Sequence, residues 1–371
     1  MRRTNRVVLI TGAAGFVGFH FVEAFLKETD DDIIGVDCLN YSGTWDRLRD
    51  AKVPLRTGDK GFDGYSNDLG SGAFYHPRFN PITWDFRRPA EPNLIKELQQ
   101  VTHIIHMGAE SHVDSSIKDP LKFVRSNVEG TCNVLNLARE LKNLELFAYF
   151  NTDECFGPAP LDKPEFKGFK ETDPHNPKNP YAATKSAGSQ IVTSYANTYG
   201  LPCIQTYTMN IFGERQHREK FIPLVIRSVL EGERVTIHAT PDLSQAGVRS
   251  YLHARNCAAA YLWLFDNQPW LKHSVKDVEA YNIVGEQELD NLTLARDIAK
   301  IINNLNLLDD RKYQLDYEMV DFHSQRPGHD LRYALDGSKL KGLGFSYPKT
   351  FYQSLSKTVG WYLENKNWLG L

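Results

Sequence analysis

The sequence predicts a doubly wound α/β fold, in which helices cover both faces of a parallel sheet. Short runs of β-branched and aromatic residues recur through the first half of the chain, and stretches with apolar residues at helical spacing separate them. A glycine-rich turn joins the first of these runs to the first helical stretch, which is typical of a nucleotide-binding β-α-β unit.

The predicted elements follow one another in the order that this fold requires. Residues 7–10, Val-Val-Leu-Ile, suit a strand buried on both faces, residues 19–26 repeat apolar side chains at helical spacing, and residues 33–37 form the returning strand. Further strands are predicted at 82–84, 103–107, 146–150 and 203–207, and further helices at 121–141 and 182–199. This alternation predicts a parallel sheet of the Rossmann type.

The regular alternation of predicted strands and helices ends at about Asn210. Helices are predicted at 223–231, 293–304 and 351–364, with short strands between them. We therefore expect a first domain over 1–209, which also receives a segment near 236–262, and a smaller C-terminal α/β domain formed mainly by 210–371. Residues 56–75 are rich in glycine and aspartate without any period, which favours a surface loop over a lid or interface loop.

Composition and charge exclude several classes of function. The 371 residues carry 43 Lys and Arg against 46 Asp and Glu, a net charge of -3 that offers no broad basic field for nucleic acid. No apolar stretch is long enough to span a membrane, and the run at 7–10 is too short for a signal peptide. The five cysteines are scattered, without metal-ligand spacing. We expect a cytoplasmic protein with reduced thiols and no metal.

The glycine-rich turn at 11–18, Thr-Gly-Ala-Ala-Gly-Phe-Val-Gly, is the predicted cofactor site. Its first glycine permits a tight turn, the second lets the backbone approach a diphosphate, and the third lets helix and strand pack closely. An aspartate at the end of the next strand can accept hydrogen bonds from both ribose hydroxyls, which favours NAD over NADP. The residues concerned are Gly12, Gly15, Phe16, Val17, Gly18 and Asp37.

Two later segments carry candidate acids and bases. Tyr181 and Lys185 stand four apart at the start of a predicted helix, so they share a face, and the lysine is expected to lower the pKa of the phenol and to hold a nicotinamide ribose. Thr152 follows a predicted buried strand and is itself followed by Asp153 and Glu154. Hydride transfer needs only the threonine, tyrosine and lysine, so the carboxylate pair indicates a second proton chemistry, most simply removal of water.

Together these motifs resemble those of the extended short-chain dehydrogenases/reductases, and most closely the nucleotide-sugar 4,6-dehydratases typified by dTDP-glucose 4,6-dehydratase. The glycine spacing Gly-x-x-Gly-x-x-Gly is the form used by that superfamily. The similarity runs from Val7 to about Tyr362, and its matching segments are 109–114, 152–154, 181–185, 219–224, 281–283 and 326–330.

The resemblance implies a lyase that dehydrates a nucleoside-diphosphate hexose, such as dTDP- or UDP-glucose, with a tightly held NAD. Tyr181 would take the proton of the C4 hydroxyl, with Thr152 as hydrogen-bond partner, while hydride leaves C4. Glu154 would then remove the acidified C5 hydrogen, and Asp153 would protonate the departing C6 hydroxyl. Hydride would finally return to C6.

The resemblance also implies binding residues beyond the catalytic ones. The cofactor would further contact Asn40, Asp85 and Phe86, the last two at the adenine edge. The substrate-binding residues would be Ser111, Asn210, Glu219, Lys220, Phe221, Arg249, Asn282, Arg326 and His329, most of them in the C-terminal domain. A homodimer packed through helices of the cofactor domain is expected on the same ground.

Several departures from the family pattern leave the substrate open. Ser115 stands where arginine is usual, Ile211 follows Asn210 where a second asparagine is usual, and residues 249–253 differ from the common pattern. The nucleotide base and the sugar configuration therefore stay undetermined. Two alternatives also remain: an epimerase or another relative that oxidises C4, and a non-catalytic protein that binds NAD or a sugar nucleotide.

Overall fold

The computed structural model describes residues 6–40, 42–52, 76–163, 165–272, 278–305, 312–322 and 330–371. Its strands are β1 Val7–Thr11, β2 Asp32–Asp37, β3 Phe79–Thr83, β4 His103–His106, β5 Leu146–Thr152, β6 Cys203–Thr208, β7 Asn210–Phe212, β8 Val235–Ala239, β9 Val248–His253, β10 Glu279–Ile283, β11 Glu288–Asp290 and β12 Tyr317–Asp321. Its α-helices are α1 Phe16–Glu28, α2 Asp46–Asp50, α3 Pro92–Glu97, α4 Val113–Lys118, α5 Pro120–Phe123, α6 Gly130–Glu140, α7 Pro180–Tyr199, α8 Phe221–Glu231, α9 Ala254–Asn267, α10 Asn291–Leu305, α11 Ser338–Gly342 and α12 Phe351–Glu364.

The α/β fold predicted from the sequence is confirmed. Every strand predicted in the first half of the chain is present to within a few residues, and the last helix has the predicted bounds. The helix predicted at 121–141 is instead divided into α5, a π-helix at Val124–Glu129, and α6. The glycine-rich stretch at 56–75 lies outside the described residues.

Among the described residues, seven strands form one sheet in the order β10-β6-β5-β4-β1-β2-β3. β1 pairs in parallel with β2 on one side, Val8 facing Ile33, and with β4 on the other, Val8 facing His103. The chain therefore winds outward from β1 in both directions. Ligands of such sheets bind beyond the carboxyl ends of the strands at this switch point.

The contacts of the chain divide it into two compact units. The first comprises Met1–Cys155, Asn179–Tyr207 and Ala258–Tyr281, and the second comprises Phe156–Lys178, Thr208–Cys257 and Asn282–Leu371. The segment that returns to the first unit therefore overlaps the expected 236–262 only at its end. The reason lies in α9, where the Tyr261 ring packs on Phe21 with 5.0 Å between centroids and its hydroxyl lies 2.5 Å from that of Thr206.

The core of the second unit forms where three helices meet. Val225 of α8, Ile298 of α10 and Leu355 of α12 are each fully buried in one cluster. A three-stranded sheet in the order β11-β9-β7 and the parallel pair β8 and β12 belong to the same unit.

Close packing of α7 on β5 sets the geometry of the first unit. Gly188 of α7 lies against Tyr149 of β5, which is fully buried. A Cβ atom at Gly188 would collide with the Tyr149 hydroxyl oxygen, so only glycine permits this approach. The N-terminal half of α7 is therefore held beside the carboxyl end of β5.

We expect Gly188→Ala to lower the free energy of unfolding by roughly 1–3 kcal/mol, because the added methyl group overpacks this contact. Tyr149→Phe removes the oxygen that the methyl group would meet. The double variant should therefore be more stable than the sum of the two single changes predicts, as measured by chemical denaturation. If the changes in free energy of unfolding of the two single variants simply add in the double variant, contact between these two residues does not limit how closely α7 packs on β5.

Candidate active site

The turn after β1 forms a cradle that only glycine allows. Gly12 has φ +72°, and a Cβ atom there would lie 2.8 Å from the Cα atom of Gly108. A Cβ atom at Gly18 would collide with the Gly12 carbonyl oxygen. Gly15 is the N-cap of α1 and provides no side-chain cap, so backbone N–H groups and the positive end of the helix dipole face the turn. Phe16 and Val17, in the first helical turn, are both partly exposed.

Asp37 is bound to the same turn by its carboxylate. One carboxylate oxygen accepts a hydrogen bond from the Ala14 N–H at 3.0 Å, and the other accepts one from the Leu39 N–H at 2.9 Å. Burial raises the pKa of Asp37, and these N–H groups and the Arg47 charge oppose the rise. Arg47 is itself buried and donates from one terminal nitrogen to the carbonyl oxygens of Ala14, at 3.0 Å, and Ser42, at 2.5 Å. No motif marked Arg47 in the sequence.

The three further residues expected to contact the cofactor differ in their contacts and exposure. Asp85 accepts hydrogen bonds from the Arg87 guanidinium at 2.6 to 3.0 Å, and this pairing lowers its pKa. The Phe86 ring is buried edge-on against His106, with 5.4 Å between centroids. Asn40 is exposed.

A buried histidine links the glycine turn to the next layer of the structure. The Thr131 hydroxyl donates to the Asn127 carbonyl oxygen at 2.7 Å, so it accepts from Nε2 of His106 at 3.1 Å. Nδ1 of His106 then accepts from the Thr11 hydroxyl at 2.8 Å. This arrangement requires a neutral imidazole, and burial lowers the pKa of His106 to about 3.

Asn127, within the π-helix, continues this network to α7. Its side-chain amide exchanges two hydrogen bonds with the backbone of Glu110, each 2.9 Å, and donates to the Thr184 hydroxyl at 3.0 Å. Thr184 in turn donates to the carbonyl oxygen of Tyr181 at 2.7 Å. The sequence predicted an uninterrupted helix here, and that pattern contained no reason to single out Asn127.

The predicted acids and bases come together at the end of β5. The Thr152 hydroxyl donates to the Asp153 carboxylate at 3.0 Å and is also hydrogen-bonded to Tyr181. Asp153 is buried and Glu154 is partly exposed, in the 3-10 turn that follows the strand. Asn179 donates to the Glu154 carboxylate at 2.9 Å. The fold therefore joins these groups into one hydrogen-bonded cluster.

Lys185 and Tyr181 have shifted pKa values. Burial lowers the pKa of Lys185 to about 8, and its amine donates to the Phe150 carbonyl oxygen at 2.7 Å. Burial, followed by the negative charge of Glu154, raises the pKa of Tyr181 well above its ordinary value, and the hydrogen bond with Thr152 opposes this. The pKa of the Tyr181 phenol is therefore raised in this structure and not lowered as expected, because burial outweighs the hydrogen bond with Thr152.

The model of the NAD dependent epimerase/dehydratase family matches residues 8–283. A dTDP-glucose 4,6-dehydratase of Salmonella typhimurium is 33% identical over 98% of this chain and 94% of the relative. The chain belongs to the NAD dependent epimerase/dehydratase family.

Two solved structures extend this similarity to three dimensions. A dTDP-glucose 4,6-dehydratase from Streptomyces venezuelae with NAD bound is 30% identical, with a TM-score of 0.76 over 98% of both chains. One from Bacillus anthracis in complex with NAD is 26% identical, with a TM-score of 0.76 over 98% of this chain and 99% of the other. NAD is the cofactor of this epimerase/dehydratase family member, and the glycine turn and Asp37 fit its diphosphate and ribose.

Two residues predicted to bind substrate are engaged within the second unit. The Arg249 guanidinium donates to the carbonyl oxygens of Val248, Leu331 and Asp330 at 2.5 to 2.7 Å. Asn282 is fully buried, and its amide donates to the carbonyl oxygens of Phe169 and Asp336 at 2.9 and 3.1 Å. The arrangement of Arg249 favours a positioning role over direct ligand contact, whereas the side-chain oxygen of Asn282 is buried without a donor among the described residues.

The other predicted substrate residues are exposed, partly buried or outside the described residues. Ser111, Glu219 and Lys220 are exposed, and Asn210 and Phe221 are partly buried. Arg326 and His329 lie outside the described ranges. Within those ranges, no group of three or more His, Cys, Asp or Glu side chains could hold a metal, and no helix is long and apolar enough to cross a membrane.

The low pKa of Lys185 predicts a pH-dependent cost to stability. Its folded-state pKa of about 8 lies below the ordinary 10.5, so charging the buried amine opposes folding below pH 8, and this penalty fades between 8 and 10.5. The stability of the wild type relative to Lys185→Met should therefore rise through that interval in urea unfolding series. Lys142→Met, at an exposed lysine, is the control and should show no such trend. If the difference in free energy of unfolding between the wild type and Lys185→Met did not change with pH, the lowered pKa of Lys185 would be contradicted.

Proposed function

We propose that this chain catalyses the NAD-dependent dehydration of a nucleoside-diphosphate hexose, dTDP-glucose or UDP-glucose, to the 4-keto-6-deoxy sugar. One observation carries the proposal: two carboxyl groups, those of Asp153 and Glu154, adjoin the hydrogen-bonded pair Thr152 and Tyr181. Hydride transfer alone has no use for two acids. Elimination of water needs one base and one acid beside the oxidising group.

The different surroundings of the two carboxyl groups support their division of labour. Asp153 is buried whereas Glu154 is partly exposed, and we assign the proton donor to the buried group, which accepts a hydrogen bond from the Thr152 hydroxyl. Glu154 is partly exposed and accepts a hydrogen bond from Asn179, which favours its charged form. Glu154 removes the C5 proton, and Asp153 protonates the C6 hydroxyl as it leaves as water.

Tyr181 and Thr152 act at C4 in this proposal. Tyr181 accepts the proton of the C4 hydroxyl, and Thr152 hydrogen-bonds to the reacting oxygens. Bound NAD+ supplies the acceptor for the C4 hydride, which later returns to C6, and a positive charge that favours the phenolate. Lys185 holds the nicotinamide ribose, and its neutral fraction at mildly alkaline pH follows from its pKa of about 8.

The substrate nucleotide is proposed to contact the second unit. Asn210 has a buried side-chain nitrogen without an acceptor among the described residues, which is the kind of donor that a ligand oxygen satisfies. Lys220 is the N-cap of α8 without a side-chain cap, and such a helix end favours anions. Glu219, Phe221, Ser111, Arg326 and His329 stay in the proposed set by resemblance alone. Arg249 is proposed as a positioning residue, and Asn282 stays in the substrate-binding set because its buried side-chain oxygen lacks a donor among the described residues.

We also propose a homodimer that packs through the helices around residues 113–129. Ile117 of α4, Leu121 of α5 and Val124 at the start of the π-helix have exposed fractions of 42%, 64% and 41%. Burying these three side chains against the same helices of a second copy removes apolar surface from water. A solution mass equal to one chain of 42.3 kDa would contradict this.

The proposal is tested by incubating the purified chain with a panel of sugar nucleotides. A 4-keto-6-deoxy product without net formation of NADH is the expected result, and the best substrate identifies the base. An epimer at C4 would instead support an epimerase. Binding without turnover of any sugar nucleotide would show a non-catalytic protein.

Glu154→Gln should separate the two halves of the reaction. The variant should still oxidise C4, so NADH should form on mixing with substrate and its absorbance should rise. Entry of solvent deuterium at C5 should fall by roughly 100-fold or more, because the base is lost while its shape is kept. Glu145→Gln, at an exposed position, is the matched control. Deuterium entry at the wild-type rate in Glu154→Gln would show that another group is the base.

A further inference from the structure

The side chain of Asn179 both accepts and donates a hydrogen bond. It is the N-cap of α7 and is 5% exposed. Its Oδ1 accepts from the Ala182 N–H at 2.8 Å. Because an N–H group can only donate, the other end of the amide must be the nitrogen, which donates to Glu154 at 2.9 Å. The orientation of the amide is therefore determined by its cap.

The backbone around Asn179 leaves this side chain little freedom. The carbonyl of Asn179 accepts from the Ala183 N–H at 2.9 Å, as the first bond of the helix. Pro180 follows directly and restricts the residue before it to extended backbone, which the observed φ of -138° and ψ of 162° match. The amide is thus presented to Glu154 by a rigid helix end.

We propose that Asn179 is a positioning residue that aims the Glu154 carboxylate for proton removal at C5. This inference rests on the proposed dehydration. A carboxylate that removes a proton from carbon must be ionised and held at the reacting hydrogen, and a neutral N–H donor favours the ionised form without competing for the proton. The same side chain caps the helix that carries Tyr181, so the C4 and C5 bases share one support.

The positioning of Glu154 and the capping of α7 need different groups on the Asn179 side chain, so substitutions can separate the two roles. An N-cap needs only an acceptor, and serine or aspartate serves as well as asparagine. Holding Glu154 needs a donor on the same side chain, which aspartate lacks and which the shorter serine cannot extend to the same position. Asn179→Ser and Asn179→Asp therefore keep the cap and remove the bond to Glu154.

The test measures both halves of the reaction in each variant, with bound NAD and the sugar nucleotide that the wild type dehydrates. NADH formation on mixing reports C4 oxidation, and deuterium entry from solvent reports proton removal at C5. In Asn179→Ser we expect C4 oxidation and the thermal unfolding midpoint to stay near wild type. Deuterium entry should fall roughly ten- to a hundredfold, the range that one hydrogen bond to a charged group supports.

Asn179→Asp provides the second variant in case serine disturbs folding. Its carboxylate keeps the cap and suits the positive end of the helix dipole, but it repels Glu154 instead of donating to it. We expect a loss of C5 exchange at least as large as in the serine variant, again with C4 oxidation retained.

Asn256→Ser is the matched control. Asn256 is equally buried, 5% exposed, and its amide donates to the Lys349 carbonyl oxygen at 2.7 Å, in the second unit. This variant loses a comparable hydrogen bond and should leave the ratio of C5 exchange to C4 oxidation unchanged.

Two results would overturn the inference. One is a wild-type ratio of C5 exchange to C4 oxidation in both Asn179 variants. The other is an equal fall of both steps, which would indicate a purely structural cap. If the wild-type chain itself forms no 4-keto-6-deoxy product from any sugar nucleotide, the proposed function fails, and the role of Asn179 in it fails too; the two results above overturn the role of Asn179 alone.

Discussion

The candidate site depends on the close approach of α7 to the carboxyl end of β5. Thr152, Asp153 and Glu154 come from the strand and its following turn, while Tyr181 and Lys185 come from the helix, so neither segment is sufficient alone. Gly188 permits the approach, because any side chain there would meet Tyr149. Hydrogen bonds from Lys185 to the backbone of Phe150 and from Asn179 to Glu154 then hold the helix end in register with the strand.

Neutral hydrogen bonds, more than ion pairs, connect the cofactor turn with the acid and base groups. The chain of contacts runs from Thr11 through His106 and Thr131 to Asn127, and then through Thr184 to the first turn of α7. Buried charges in such a layer would carry a large desolvation penalty, which is why the imidazole stays neutral. The glycine turn and the first turn of α7 are thus supported by one continuous framework.

In the second unit, a residue that belongs to a family motif can stabilise the fold instead of contacting a ligand. Arg249 uses its guanidinium to satisfy carbonyl oxygens, and Arg332, which no motif singled out, does the same for Pro160 and Phe166 while pairing with Glu288. Guanidinium groups suit both tasks, since their planar donors match several oxygens at once. Residue type and position in the chain therefore cannot separate the two roles. A guanidinium group near unpaired carbonyl oxygens of the fold donates to them and has fewer N–H groups left for a ligand. The tertiary structure therefore decides which arginines can bind one.

The sequence by itself determined the alternation of strands and helices, the glycine turn and the identity of the acid and base side chains, because these follow from local periodicity and residue chemistry. It did not determine the break of the predicted helix at the π-helix around Asn127, nor the direction of the pKa of Tyr181. It also did not mark Arg47 or the return of α9 to the large sheet. Those features depend on burial and on contacts between residues far apart in the chain, so only the tertiary structure decided them.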